Sequence, residues 1–307
     1  MRKSIFTLVA VFAAANLFGL VFNGQIEHYD KGVAKFSKLA WYADNENTAK
    51  LSGKPRKGDS INLRGRVIEL DSDIVCGSIC INGQVRAEKK KINLTKGSLS
   101  THLGSENEIK YLELKNCLFT AKGGLDTFNI GRPGVANFGI TQYRFIDSTA
   151  TFDGNCILTF NLSNLGNKKS KSGFALMLTG ASKVEFKGVP IISDLTQSNA
   201  AAQSLFTFAE KDGKLPVLVF SGKNGGTLEK SAIELTVTGK IQSGKYALIH
   251  FTKSVKPRGE FASVKINGTQ LKLGQSKKIG ERTATVDWGV APTDRDKIAN
   301  DIVLTLE

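Results

Sequence analysis

Apolar and polar residues alternate along most of this chain in short runs of about four to six, each bounded by Gly, Asn, Asp or Ser. That is the period-two pattern of half-buried strands separated by turns, not the 3.6-residue spacing of helices. The pattern is clearest between residues 112 and 188, where one sentence is written three times. Residues 114–123, 145–154 and 181–188 each end in glycine, at Gly123, Gly154 and Gly188. A small or thiol residue (Cys117, Ser148, Ser182) stands six places before the glycine, and Ala121, Phe152 or Phe186 stands two before it. One inserted residue in the third copy brings Leu178 into line with Leu114 and Phe145. A repeat of 31 and then 34 residues marks a stacked architecture, in which no unit buries its apolar face alone and neighbours must cover it.

Around this core the organisation changes twice. Residues 25–52 read as an irregular, polar lead-in whose aromatics (Tyr29, Phe36, Trp41, Tyr42) are expected to cap the open end of the stack. A first coil otherwise presents bare apolar surface and unpaired strand edges. Strand-and-turn order begins at Gly53, and residues 53–306 are read as one repetitive unit. The progression Pro55, Gly58-Asp59, Leu70-Asp71, Gly77-Ser78-Ile79 and Ile81-Asn82-Gly83 resembles the opening coils of bacterial secreted β-solenoids related to autotransporter β-strand repeats. Residues 244–251, 261–268 and 300–306 are similar to the closing strands of the same passenger-like proteins, so residues 239–306 are expected to close the solenoid. The chain departs from the autotransporter pattern in reaching Glu307 without a membrane barrel or a hydrophobic sorting tail, so self-anchoring in an outer membrane is not expected.

The fold expected is all-β, a right-handed parallel β-helix with an N-terminal cap. The alternative is an antiparallel β-sandwich. Coils stacked about 4.8 Å apart place like residues over like, so Phe152 and Phe186 are expected in an inward ladder and Asn116 and Asp147 in a turn ladder. Cys117, Ser148 and Ser182 form a third expected ladder. Residues 124–139, 164–172 and 193–204 are the expected outward loops, the last alone with a short helical look. Ligand contacts sit disproportionately on such loops, which makes Arg132, Lys168, Lys169 and Lys171 the candidate binding residues.

The first fifteen residues carry a basic start at Arg2 and Lys3, an apolar stretch from Ile5 to Phe12, and a small-x-small exit at Ala13 and Ala15. This is the layout of a secretory leader, with cleavage expected near Ala15 and the leader extending at most to about residue 24. Asn16, Gly19 and Asn23 interrupt the apolar continuation through Leu17, Phe18, Leu20, Val21 and Phe22, which argues against a membrane anchor. A soluble bacterial protein acting outside the cytoplasm is the expectation. The net charge of +14 falls to +12 once Arg2 and Lys3 leave, and a positive field of that size favours anionic polysaccharide or cell-envelope components over nucleic acid for an exported chain. Dispersed lysines also serve a simpler purpose, keeping strand edges soluble and unattractive to one another.

Candidate chemistry is sparse. Cys76, Cys80, Cys117 and Cys156 could pair as disulfides in an exported chain or serve as small apolar core residues. His28, His102 and His250 stand apart from one another, with His250 expected to face outward from a strand, and no metal or cofactor is expected. A polysaccharide lyase or hydrolase needs carboxylates converging on one groove. Asp147, Asp153 and Arg132 are the nearest approach to such a set, although the alignment of Asp147 with Asn116 favours a turn role. Asp294, Asp296 and Asp301 hint at a calcium loop but lack its glycine and spaced glutamate. The functional expectation is a non-catalytic surface or extracellular-matrix solenoid, adhesin-like or structural. A β-helical polysaccharide enzyme and an acidic-glycan binding module are the alternatives.

Overall fold

The computed structural model describes residues 20–25, 33–44, 48–102, 111–128, 140–154, 156–157, 173–188, 190–191, 203–222, 231–252, 261, 263–292 and 297–307. They form a β-solenoid of about five turns. Among the described residues the only helix is the single 3-10 turn Phe36–Lys38. Each coil has up to three straight segments, and each segment stacks in parallel on its counterpart in the next coil.

The first face stacks the second halves of Ser60–Leu70 and Ser78–Glu88, then Tyr111–Lys115, Ile140–Ile146, Gly173–Thr179, Gln203–Ala209, Ala232–Thr236 and Ser263–Ile266. The second stacks Ile74–Cys76, Lys91–Leu94, Leu118–Ala121, Thr149–Phe152, Lys183–Phe186, Val217–Phe220 and Gly244–Phe251. The third takes the first halves of the two long strands, then Leu99–His102, Leu125–Phe128, Cys156–Ile157 and Pro190–Ile191. This unbroken parallel register excludes the antiparallel sandwich. It also corrects the expected loop at residues 124–139, because Leu125–Phe128 is a strand of the third face. The expected loop at 193–204 likewise gives up its last residues to Gln203–Ala209.

Register turns the alternation into a core. On the first face Leu70, Ala87, Leu114, Phe145, Leu178, Phe208, Leu235 and Ile266 occupy one inward row, and all are buried. On the second face Phe152, Phe186, Phe220 and Phe251 stack ring on ring, with centroids 5.2, 5.6 and 5.2 Å apart and planes within 21° of parallel. Phe119 completes the series from the adjacent row, 5.4 Å from Phe152. It can do so because the two lower coils exchange large and small: Phe119 and Ala121 lie under Ala150 and Phe152, which conserves volume between layers.

Antiparallel strands close both ends. At the start, Val21–Gln25 lies parallel on Ser60–Leu63 and antiparallel to Ala40–Tyr42, which in turn pairs with Lys50–Leu51. Phe22, Phe36 and Trp41 pack edge to face over the open core. The carboxylate of Asp71 pins this cap to the first coil, accepting from the Ser37 N–H at 2.9 Å and the Ser37 hydroxyl at 2.5 Å. The lead-in is therefore partly strand, and the fold already includes Val21 and Phe22, inside the apolar run that follows the leader-like stretch. Tyr29 lies outside the described residues.

At the far end Gly244–Phe251 continues the second face and then accepts Asp301–Leu306, Arg282–Gly289 and Ser276–Ile279 in antiparallel order. Thr269–Leu271 closes the first face in the same way. Two cations tie these closures to the solenoid. Lys277 Nζ donates to the carbonyls of Ile266 (3.0 Å) and Asn267 (3.1 Å), and the Arg282 guanidinium donates to those of Gly239 and Ile241. The outermost strand carries Lys277 and Lys278, a common way to make an edge unattractive to another chain.

Candidate functional surface

The repeat's polar signature lies in the corners. Between the first and second faces Lys89, Asn116 and Asp147 adopt left-handed backbone (φ 54°, 51° and 48°), and Gly180 follows them at 66°. The residue after Asn116 and after Asp147, and the next but one after Gly180, turns inward. Cys117 N–H donates to Ser148 Oγ at 3.0 Å, and Ser148 N–H donates to Ser182 Oγ at 3.2 Å. The Ser148 hydroxyl reaches the carbonyls of Leu114 and Ile146, and the Ser182 hydroxyl those of Phe145 and Thr179. Cys117, Ser148 and Ser182 are all buried. Hydroxyls in this row satisfy backbone groups that a tight buried corner would otherwise leave without partners.

The row has a fourth member in sequence that the threefold reading did not include. Pro216 stands six places before Gly222, and Phe220 stands two before it. A proline there has no N–H that needs an acceptor. The spacing to Gly222 was the signal that could have found it.

The carboxylates once grouped as a catalytic set serve separate corners. Asp147 accepts the Ala181 N–H at 3.0 Å and pairs with Lys211, which holds its carboxyl below the ordinary value. Asp153 lies beyond the far end of Thr149–Phe152, so the two α-carbons are about 20 Å apart along an extended chain, well beyond the separation of a glycosidase pair. Arg132 lies outside the described residues, as do Lys168, Lys169 and Lys171.

Cys76 and Cys117 are buried thiols. Burial pushes Cys76 up to about 12, with the Asp59 carboxylate adding to the effect, and burial also raises Cys117. Cys80 is half-buried in an outward row between Asn62 and Ser100. The side chains of Cys156 and His102 lie outside the described set, as do Asp294, Asp296 and His28. His250 differs from its expected outward exposure: its side chain is 16% exposed, and Nδ1 lies 3.1 Å from Asp301. Asp301 is fully buried and accepts the N–H groups of Phe251 (2.7 Å) and Ala291 (2.8 Å), which explains its burial without a metal. Among the described residues no group of His, Cys, Asp and Glu could hold a metal ion, and no helix is long and apolar enough to cross a membrane.

The outward faces differ in how their charges are used. On the first face Lys35, Glu69, Arg86, Glu113 and Arg144 follow one another from coil to coil with alternating sign. Arg144 meets Glu113 at 3.2 Å, Lys115 meets Glu88 at 2.9 Å and Lys265 meets Glu234 at 2.8 Å. On the second face and the corner after it, Lys91, Lys96, Lys122, Lys183 and Lys187 are exposed and enter no ion pair among the described residues. Residues 103–110, 129–139, 158–172 and 192–202 each connect a third-face strand to the next first-face strand, so all four depart from one corner. Comparison with family models, with curated proteins and with solved structures returned no match.

Proposed function

We propose that the chain is an exported, non-catalytic β-solenoid of the cell surface or extracellular matrix, with an adhesin-like or structural role. The observation that carries this reading is a rod whose interior rows are filled by apolar side chains from the Trp41 cap to the Leu306 closure. Asp71, Asp147 and Asp301, each accepting at least two hydrogen bonds, hold a corner or a cap in place. Export draws on the leader-like segment and on the position of the first described residues. Leu20 accepts from Ser60 N–H and donates to Asp59, so removal of residues 1–15 leaves the first strand intact. Kinship with autotransporter-type passengers is part of the same proposal and rests on the motifs of residues 55–83 and 244–306.

Expression in a bacterial host that exports the chain, followed by fractionation and N-terminal sequencing, tests the location. A mature terminus between residues 16 and 20 in the exported fraction is expected, and an intact Met1 retained in the cytoplasm overturns export. Turnover of any member of a panel of uronic-acid and sulfated glycans overturns the non-catalytic assignment.

A further inference from the structure

The unequal treatment of charge on adjoining faces points to a binding surface. We infer that the second face, with the corner that follows it, binds a linear acidic polysaccharide laid along the solenoid axis. The inference gives a ligand class to the proposed surface role but rests on the geometry of this face, not on export.

Three features of the face match that ligand. Its cations are unspent: Lys91 and Lys183 are three coils apart in one outward row, about 14 Å at the usual strand spacing. Lys122 and Lys187 are two coils apart in the row that begins the corner, about 10 Å. The coil step is of the same order as the rise of one pyranose along an extended chain, so anionic groups two or three sugars apart can meet cations two or three coils apart. Next, the middle of the face offers what the rest of a sugar needs. Asn93, Thr120, Thr149 and Thr151 turn hydrogen-bonding groups outward, and Val75 and Leu118, each 48% exposed, give apolar ground for a pyranose ring face.

The third feature separates sugar from single-stranded nucleic acid. Binding of the latter uses exposed aromatic platforms on which bases stack, whereas from Lys91–Leu94 to Val217–Phe220 the aromatic side chains of this face (Phe119, Phe152, Phe186, Phe220) are all buried in the interior. The acids on the surface set its polarity. Asp73 accepts the Lys91 N–H and Glu185 accepts the Ser221 hydroxyl, while Asp153 stands exposed between Lys122 and Lys187 in the corner row. Asp153 should therefore repel the ligand from the centre of its track.

The test uses the full folded chain and fluorescently labelled oligosaccharides, a polyuronate hexamer and a heparin-derived hexamer, in anisotropy titrations over a range of salt. The triple change Lys91→Gln, Lys122→Gln, Lys187→Gln should weaken binding by about tenfold, the order of three exposed charge contacts. It should also flatten the dependence on salt. Asp153→Asn should tighten binding by about two- to threefold, the effect of removing one exposed like charge. A control with equal charge change elsewhere, Lys54→Gln, Lys57→Gln, Lys278→Gln, should change affinity by less than about twofold. Among the described residues none of these side chains has a hydrogen-bond or ion-pair partner, so thermal unfolding should coincide for all variants. Binding of neither oligosaccharide overturns the inference. So does equal weakening by the control, unchanged affinity in Asp153→Asn, or tighter binding of single-stranded DNA than of either sugar. Mislocalisation of the exported chain would leave these titrations unchanged, which separates failure of this inference from failure of the export proposal.

Discussion

The glycine corner offers a sharp test of the stacking itself. Gly77, Gly97, Gly123 and Gly154 follow one another from coil to coil, each against the backbone of the coil below or the residue beside it. In Gly154→Ala the new methyl carbon would stand 2.5 Å from the carbonyl carbon of Gly123, 2.6 Å from its oxygen and 2.7 Å from the nitrogen of Gly124. All three are main-chain atoms and cannot swing aside. Gly154 is not among the positive-φ residues, so the conflict is one of space. Carbon atoms pack at about 3.5 Å, so the corner must open by about 1 Å.

That movement falls beside the bond from Asp153 N–H to Ala121 O, now 2.8 Å, and carries it past the useful range. Losing one such bond costs about 1 kcal/mol, and the forced shift of packed coils adds about 1–3 kcal/mol. A total near 2–4 kcal/mol is expected. Gly53→Ala is the matched control, because a methyl group there meets nothing within 4 Å. It should be neutral or stabilising by up to about 1 kcal/mol through the unfolded state. Urea unfolding followed by far-UV circular dichroism measures both. If the two variants agree within about 0.5 kcal/mol, the close coil-on-coil contact is not what holds this corner, and the argument fails.

Phe186→Ala removes a ring held between Phe152 and Phe220 and should cost about 3–5 kcal/mol in the same titration; a loss under about 1 kcal/mol would show the row to be loosely packed. Ser148→Ala leaves the Cys117 N–H without its acceptor and should cost about 1–3 kcal/mol, whereas Ser148→Cys copies the neighbouring coil and should lose clearly less. At Asp71 burial pushes the carboxyl up, but the Ser37 hydroxyl and N–H outweigh it, and at Asp147 the Lys211 ammonium acts in the same downward direction. Both carboxyls therefore sit below their ordinary 3.8. Their stabilising effect is complete above 3.8 and fades as pH falls through the lower folded values, so Asp71→Asn should flatten the acid limb of stability against pH, and an unchanged limb refutes the assignment. In native protein at pH 8 an aromatic disulfide reagent should modify Cys76 and Cys117 only as fast as the chain opens; rapid reaction of Cys76 would contradict its burial.

How much of this could be read in advance depended on whether a feature repeats locally. Cys117, Ser148, Ser182 and the glycines after them recur at nearly fixed spacing because each coil closes the same corner, so the sequence alone marks the stack. Phe119 and Ala121 hid the aromatic row, since the exchange of large and small with Ala150 and Phe152 breaks the letter pattern while keeping the volume. Lys211 could not be assigned to Asp147, because the two lie 64 residues apart and meet only through the register of several coils. The same holds for His250 and Asp301, 51 residues apart, whose contact depends on the last strand doubling back. Leu125–Phe128 read as loop because a four-residue strand bounded by glycine carries little period-two signal. The outward lysines of the second face looked scattered in sequence and align only once Lys91 is known to lie under Leu118, Thr149 and Lys183.

The departure of successive connections from a single corner has a practical consequence. Peptides grafted between His102 and Tyr111, between Phe128 and Ile140, and between Ile157 and Gly173 would be anchored in single file, with bases about one strand spacing apart. Such a scaffold would act as a molecular ruler for arraying epitopes or enzymes at a set pitch, and its length could be changed one rung at a time.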